Sequence, residues 1–230
     1  DWTAMLDQFV DGGVCEMIGV ADMIADWTYA GHQITQSKII MIGVQHKYDE
    51  IKKAPDIAAG LEVMEQYKRA AVASKMVAAW LHEKGWAAEA VTGPLTGAVA
   101  MIPPALACGF GELGKHGSLI NKEFGASFRL SAVLTDAPFA VTEPRSFGVD
   151  EFCTNCRICE DACPPIAISP TKQTVRGVDK WYVDFDKCIT YFNETHGCAI
   201  CIAVCPWSRP GVGFNLADKL ERRSARRGRE

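Results

Sequence analysis

The sequence predicts an α+β fold in two parts, an upstream domain of alternating helices and strands and a small cysteine-rich module after it. The chain has 230 residues, which suits one substantial domain with a small appendage. An apolar, β-branched run at residues 39–44 is followed by a long stretch of good helix formers. Eight of the ten cysteines lie between Cys153 and Cys205, so they are concentrated in one segment and do not form a disulfide framework spread over the chain.

Composition and charge exclude several classes of protein. Apolar residues make up 48% and charged residues 23%, which is typical of a globular protein and excludes disorder and collagen-like repeats. The formal net charge of −4 provides no overall positive field, which disfavours a nucleic-acid binder. The longest charge-free stretch, residues 90–110, has membrane length, but its prolines and glycines would break a spanning helix. We expect buried irregular chain there.

Two elements of the upstream domain can be predicted from their residues. The run at 39–44 suits a buried strand, and a helix is predicted over residues 58–84, ending near Gly85. One face of this helix carries a tyrosine among small and apolar side chains, namely Tyr67, Ala71, Ser74, Ala78 and Leu81. Such a face either admits a flat ligand or packs closely on a sheet, and the residues alone favour close packing.

A glycine-rich segment at residues 109–117 precedes a predicted strand at 129–135. The segment lacks both the GxGxxG pattern and the GKS or GKT ending of a phosphate loop, so close approach to a cofactor and a set of tight turns both stay open. Prolines at 138 and 144 predict a domain boundary near residues 140–150. The arginine-rich end of the chain, after Gly213, indicates a solvated tail.

The cysteine module carries the strongest signal. From Cys153 to Pro164 the chain reads CxxCxxCxxxCP, the bacterial ferredoxin run in which three thiolates hold one cubane cluster and the fourth reaches the other. A second run, CxxCxxxCP from Cys198 to Pro206, repeats the last three positions, and its first cysteine is displaced upstream to Cys188. Interleaved cysteines followed by proline, twice, favour iron–sulfur ligation over zinc or disulfides.

The pseudo-twofold logic of two such runs assigns four cysteines to each of two [4Fe–4S] clusters. The first cluster is assigned Cys153, Cys156, Cys159 and Cys205. The second cluster is assigned Cys163, Cys188, Cys198 and Cys201. Cys15 and Cys108 lie outside both runs and are interpreted as small buried side chains. A ferredoxin would need only the cysteine module, so we expect electrons to be exchanged with something that the upstream domain binds.

A series of motifs in this order resembles the corrinoid-dependent reductive dehalogenases. The motifs are GELGKHGSLI at 111–120, EFG at 123–125, RL at 129–130, VLTD at 133–136 and the cysteine–proline–tryptophan end at 205–207. The related epoxyqueuosine reductases share this plan, but their Asp-Tyr-His signature is absent, because the matching stretch reads EQYKR at 65–69. This difference favours a reductive dehalogenase over an epoxyqueuosine reductase.

The resemblance implies a nitroreductase-like α/β cobalamin-binding domain followed by a bacterial ferredoxin-like module with two [4Fe–4S] clusters. It places the cobalamin-binding and catalytic domain at 1–145, the dicluster module at 146–215 and a basic C-terminal tail at 216–230. The resemblance implies a base-off cobalamin, and the absence of an Asp-x-His-x-x-Gly pattern around the five histidines agrees with a cobalamin that has no protein axial ligand. The cobalamin contacts that the resemblance suggests lie in the glycine-rich segment, at Gly109, Gly111, Glu112, Gly114, His116, Gly117 and Ser118.

The resemblance also implies the catalytic residues. In the family a tyrosine within the helix predicted here over residues 58–84 donates a proton. A basic residue after the Phe-Gly motif, which lies here at 124–125, stabilises the phenolate of that tyrosine. Tyr67 and Arg129 are the matching positions, with Lys115 as the fallback for the basic residue. The alternative from the residues alone is a buried tyrosine with a satisfied hydroxyl and a surface arginine on a strand.

The expected function is reductive dehalogenation, with electrons passing through the two clusters to the cobalamin and a tyrosine protonating the product. One alternative is a corrinoid-dependent reductase of a non-halogenated substrate such as a tRNA base, and another is a non-catalytic electron carrier or corrinoid-binding protein. The expected partners are a small organohalide substrate and an electron donor, either ferredoxin, flavodoxin or a reductase; nucleic acid is not expected.

The beginning of the chain bears on location and on completeness. The chain opens at Asp1 without methionine, so we expect it to be processed or truncated. A cytoplasmic location is expected over export, and a removed twin-arginine leader stays open, as does membrane association. Members of the family are longer at the N-terminus, so part of the cobalamin shell or substrate pocket is expected to lie outside this chain.

Overall fold

The computed structural model describes residues 2–93 and 97–227. The α-helices of these residues are α1 (Asp7–Asp11), α2 (Tyr48–Ile51), α3 (Ile57–Glu83), α4 (Ile102–Ala107), α5 (Val149–Asn155), α6 (Ile158–Asp161), α7 (Phe185–Glu194), α8 (Ile200–Ala203) and α9 (Val212–Arg227). The strands are β1 (Met17–Asp22), β2 (Lys38–Gln45), β3 (Ala88–Val91), β4 (Glu112–Leu113), β5 (Leu119–Ile120), β6 (Phe128–Thr135), β7 (Ile168–Val175) and β8 (Val178–Val183). Short 3₁₀ turns lie at Thr3–Leu6, Ala25–Trp27 and Pro206–Ser208.

Packing divides the chain into two compact units that are not contiguous in sequence. The first unit comprises the chain up to Gln45, then Met64–Phe110 and Phe128–Pro144. The second unit comprises His46–Val63, Gly111–Ser127 and the chain from Arg145 onward. The two units do not follow the predicted division at residue 145, because residues 46–63 and 111–127 cluster with the part of the chain that carries the cysteine module.

The first unit is built on an antiparallel sheet with the strand order β1-β2-β6-β3. In β2 the residues from Ile39 to Ile42 are completely buried, as the apolar run predicts for a strand covered on both faces. β6 pairs with β2 over its whole length, so that Arg129 lies opposite Val44. Both predicted strands, at 39–44 and 129–135, are confirmed.

Helix α3 spans Ile57–Glu83, which confirms the predicted helix at 58–84. Ser74, Ala78 and Leu81 of the tyrosine-bearing face are at most 6% exposed, and Ala78 and Leu81 belong to the core of the first unit. The Ser131 hydroxyl of β6 donates a hydrogen bond of 2.7 Å to the Ala70 carbonyl of α3. The central part of the tyrosine-bearing face therefore packs closely on the sheet, as its small side chains predict.

The second unit has its own core, centred on Trp207, which is fully buried. Phe147 and Phe152 pack edge-on against the Trp207 ring, at centroid distances of 5.4 and 5.5 Å. Cys153 and Cys205 belong to the same core cluster. The cysteines of the module are thereby positioned by aromatic packing from both ends of their sequence.

Two stretches differ from their sequence-based descriptions. The described residues of 90–110, namely 90–93 and 97–110, include irregular chain as predicted, but also the end of β3 and helix α4, whose first turn contains two adjacent prolines. Pro94 lies outside the described residues. The basic end is helical as far as Arg227, because Ala217 and Leu220 of α9 are buried in the core of the second unit. In the described part of the chain, no helix is long and apolar enough to cross a membrane.

Candidate functional site

Four cysteines from distant parts of the module line one cavity in the second unit. We call them the first cysteine group: Cys153, Cys156, Cys159 and Cys205. Cys153 lies in α5, Cys156 is the residue that ends α5, and Cys159 lies in α6. Cys205 immediately precedes the 3₁₀ turn at Pro206–Ser208. The structure thus brings together the four residues that the sequence pattern assigns to one cluster.

Burial makes three thiols of this group, those of Cys153, Cys159 and Cys205, resist ionisation in the absence of a metal. It raises the pKa of Cys153 to about 11 and the pKa values of Cys159 and Cys205 to about 12, and the neighbouring thiols of the group add to the shift. Backbone N–H groups partly offset this, from Lys115 to the Cys153 Sγ and from Trp207 and Ser208 to the Cys205 Sγ. Four converging soft sulfur donors with backbone N–H support fit an iron–sulfur cluster, whose iron charge would hold them as thiolates.

The other four cysteines of the module form the second cysteine group, Cys163, Cys188, Cys198 and Cys201. Burial raises the pKa of Cys201 to about 12, and neighbouring thiols contribute, first Cys159 of the first cysteine group and then Cys198, Cys188 and Cys163. The Ala167 N–H donates to the Cys163 Sγ at 3.4 Å. The ligation of a second cluster by these four cysteines stays a prediction.

The structure explains why Cys188 is displaced in the sequence. Cys188 lies in the first turn of α7, whose N-cap residue Asp184 accepts a hydrogen bond of 3.3 Å from the Lys187 N–H. The residues between Cys188 and Cys198 complete α7 and a turn in which Gly197 has a φ of +93°. The inserted residues between Cys188 and Cys198 are therefore the remainder of α7 and the turn that follows it.

Tyr67 and Arg129 lie together in the first unit. The guanidinium carbon of Arg129 is 4.8 Å from the centroid of the Tyr67 ring, a distance typical of a cation–π contact. Both side chains are partly exposed, but the Arg129 Nε is buried and has no hydrogen-bond partner among the described residues. Burial lowers the pKa of Arg129, and Tyr67 acts in the opposite direction. The proton-donor role of Tyr67 and the supporting role of Arg129 stay predictions.

Lys115 lies in the second unit, where it lines the cavity of the first cysteine group. Its side chain is 2% exposed, its Nζ is 3.5 Å from the Glu160 Oε2, and the same Nζ is 4.9 Å from the centroid of the Trp181 ring. The role of Lys115 as the fallback base for Tyr67 stays a prediction. Glu160 and Trp181 are site residues that the sequence analysis missed, because no local pattern relates them to Lys115.

The glycine-rich segment is divided between the units, with Gly109 in the first and the residues from Gly111 onward in the second. A Cβ at Gly111 would lie 2.1 Å from the Ile120 carbonyl oxygen, so the β4–β5 pairing requires glycine there. The Gly114 and Gly117 N–H groups take part in the turn itself, donating to the carbonyls of Ser118 and Gly114. Tight turns account for these glycines, and their contacts with a cobalamin stay a prediction.

Two polar members of the same segment are also bound within the second unit. The Glu112 Oε1 accepts hydrogen bonds from the N–H groups of residues 147–149 at 2.5, 3.0 and 3.3 Å, at the start of α5. The His116 Nδ1 accepts from the Ser118 N–H at 3.2 Å, and burial lowers the pKa of His116 to about 4. The His116 Nε2 is buried without a hydrogen-bond partner in the described chain. The three hydrogen bonds to the Glu112 carboxylate fix the start of α5, the helix that contains Cys153.

Comparisons with known proteins agree with both units. Residues 152–208 match a family described as a 4Fe-4S dicluster domain. Over 218 residues the chain is 33% identical to a tetrachloroethene reductive dehalogenase of Desulfitobacterium hafniense, covering 89% of this chain and 39% of that protein. Over 124 residues it is 32% identical to the epoxyqueuosine reductase of Escherichia coli strain K12, covering 46% of this chain and 29% of that protein.

A solved reductive dehalogenase, described as acting by B12-dependent dehalogenation, has the same fold. Its TM-score is 0.82 at 27% identity, and the match covers 92% of this chain and 33% of that one. The predicted fold class, an α+β upstream domain with a ferredoxin-like dicluster module, is confirmed. The chain spans 39% of the length of the dehalogenase relative named above. It belongs to the corrinoid- and iron–sulfur-dependent reductive dehalogenase family.

Proposed function

We propose that this chain carries the cofactor and proton-donor machinery of a reductive dehalogenase acting on a small organohalide. The observation that carries the proposal is the Arg129 guanidinium over the Tyr67 ring at 4.8 Å. A protein that only transfers electrons has no need for such a pair, whereas a reduction that ends in a new carbon–hydrogen bond needs a proton donor. The similarity to a tetrachloroethene reductive dehalogenase supports the choice of substrate class.

The two cysteine groups are proposed to hold two [4Fe–4S] clusters, each crossing between the two ferredoxin runs. The first group draws Cys205 from the second run, and the second group draws Cys163 from the first run. Cys163, Cys188 and Cys198 are partly exposed, whereas Cys153, Cys159 and Cys205 are buried. An external electron donor therefore reaches the second group more easily, and we propose that electrons enter there.

When bound, a base-off cobalamin supplies the low-valent cobalt chemistry that breaks a carbon–halogen bond. The Arg129 Nε is buried without a hydrogen-bond partner among the described residues, and a polar group of a bound cobalamin would provide one. This residue therefore fits the cofactor. Two electrons and one proton convert the carbon–halogen bond into a carbon–hydrogen bond and a halide ion. The proton is proposed to come from the Tyr67 hydroxyl, and Arg129 stabilises the phenolate left behind.

A second candidate is a corrinoid-dependent reductase of a non-halogenated substrate, which the similarity to an epoxyqueuosine reductase favours. Release of chloride or bromide from organohalides separates the two candidates, since only a dehalogenase produces halide. A corrinoid assay of anaerobically prepared protein separates both from an electron carrier.

Metal analysis of the anaerobically prepared chain is expected to give about eight irons and an equal amount of acid-labile sulfide, because eight cysteines are proposed to ligate two four-iron clusters. Zinc is expected to be negligible. A result of about four irons would mean that one of the cysteine groups holds no cluster.

The cobalt of the bound corrinoid is expected to have no histidine ligand. Electron paramagnetic resonance of the Co(II) form should therefore lack nitrogen superhyperfine splitting. His46 and His116 are buried within the second unit, and His32, His82 and His196 are exposed. Observation of the splitting would contradict the base-off form, and single His→Ala variants would then show whether a protein ligand is responsible.

A further inference from the structure

Lys115 is a buried cation beside the first cysteine group. Its side chain is 2% exposed, and it lines the same cavity as Cys153, Cys156, Cys159 and Cys205. Its backbone N–H points at the Cys153 Sγ, and its charge favours the thiolate forms of Cys153 and Cys159. Among the lysines and arginines whose side chains are described, it is the only one that is fully buried.

The charge of Lys115 is only partly neutralised by protein groups. Among the described residues its carboxylate partner is Glu160, 3.5 Å away, which is long for a charged hydrogen bond. Glu160 is also shared, since its Oε1 lies 3.1 Å from the Arg157 Nη2. The Lys115 Nζ also lies 4.9 Å from the centroid of the Trp181 ring, which Lys172 contacts as well, and an aromatic ring attracts a cation but carries no net charge.

Fold stability does not explain a charged side chain here. Burying a lysine has a large desolvation cost, and apolar side chains of similar size are often as stable in place of a buried ion pair. A negatively charged group in the cavity would explain the lysine. An iron–sulfur cluster with four thiolate ligands is such a group, and it becomes more negative by one charge when it accepts an electron.

We propose that Lys115 raises the reduction potential of the cluster held by the first cysteine group, and that Glu160 offsets part of this effect. The inference rests on the proposed iron–sulfur cluster at this group. A fixed positive charge in a low-dielectric cavity stabilises the reduced cluster more than the oxidised one. The first cluster is then a better electron acceptor than it would be without the lysine, which favours electron flow into the first group.

The test is a redox titration of the anaerobically reconstituted full chain, followed by electron paramagnetic resonance. Lys115→Met should lower one of the two midpoint potentials by about 59 mV, which corresponds to a tenfold change in the reduction equilibrium of a one-electron couple. Glu160→Gln should shift the same midpoint in the opposite direction. Lys115→Arg keeps the charge and should keep the potential.

Lys187→Met is the matched control. Lys187 precedes Cys188 in sequence, but its side chain is 58% exposed and pairs with Asp184, so solvent screens its charge. Both midpoints should stay at their wild-type values in this variant. A Lys115→Met shift no larger than that of Lys187→Met overturns the proposal, and so does a Glu160→Gln shift to lower potential.

If Lys115→Met loses the first cluster, its iron content will fall to about four and its midpoint cannot be used. Glu160→Gln and Lys115→Arg then test the proposal. Glu160→Gln with a raised midpoint and Lys115→Arg with an unchanged one support the proposal, and an unchanged midpoint in Glu160→Gln refutes it. The readout is independent of dehalogenation. Absence of both clusters in the wild-type chain would instead refute the proposed iron–sulfur function itself.

Discussion

Replacing Tyr67 with phenylalanine is expected to lower dehalogenation by roughly 10²-fold or more, in the range of general-acid effects. The substitution removes only the hydroxyl and keeps the ring beneath the Arg129 guanidinium, 4.8 Å from its centroid. Breaking a carbon–halogen bond leaves carbanion-like character on carbon, and a positioned phenol protonates it without admitting bulk water. Iron and corrinoid contents should stay at wild-type values. Steady-state turnover and metal analysis of the same preparation check both expectations.

The matched control is Tyr29→Phe, which makes the same chemical change at an exposed side chain of the first unit. It should retain wild-type turnover. Arg129→Leu should reduce turnover as Tyr67→Phe does, because the phenolate then loses its cation. Wild-type turnover by Tyr67→Phe, under conditions where proton transfer limits the rate, would show that the tyrosine is a packing residue of α3.

Replacing Cys205 with alanine is expected to destroy the first cluster, although Cys205 lies 46 residues beyond the nearest other member of its group, Cys159. The cavity that Cys205 shares with Cys153, Cys156 and Cys159 is the structural reason. A cubane with three of its four thiolates is labile, so the iron content should fall from about eight toward about four per chain. Iron and sulfide analysis, with the electron paramagnetic resonance of the reduced protein, measures the loss.

Cys108→Ala is the control for this experiment. Cys108 is buried, 1% exposed, and lies outside both cysteine groups, where burial raises the pKa of its thiol to about 12. This variant should keep about eight irons. If Cys205→Ala keeps them as well, or loses the signal of the cluster that contains Cys188, the crossed assignment of the cysteines is wrong.

The parts of the molecule that could be predicted from sequence are those specified by local pattern. The run at 39–44 is β-branched and apolar throughout, and the helix ending near Gly85 has good formers along its length, so each element follows from its own residues. The two cysteine runs are also local patterns, and the crossed partners that they assign to each group stay a prediction.

The parts that could not be predicted depend on contacts between distant residues. Lys115 meets Glu160 and Trp181 only because the second unit folds around Trp207, and neither partner lies in a motif with it. No local pattern relates Glu112 to residues 147–149, whose N–H groups its carboxylate accepts at the start of α5. Tyr67 and Arg129 were paired through a family resemblance, since no sequence period relates a helix position to a strand in another part of the chain.

Halide release per electron consumed tests the central claim most directly. The anaerobic protein, with its iron and corrinoid contents verified, would be given a chemical reductant and a panel of chlorinated ethenes and brominated phenols that includes tetrachloroethene. The account predicts one halide ion released for every two electrons consumed, with loss of this activity in Tyr67→Phe but not in Tyr29→Phe. Protein that contains both clusters and corrinoid, yet releases no halide from any member of the panel, would contradict it.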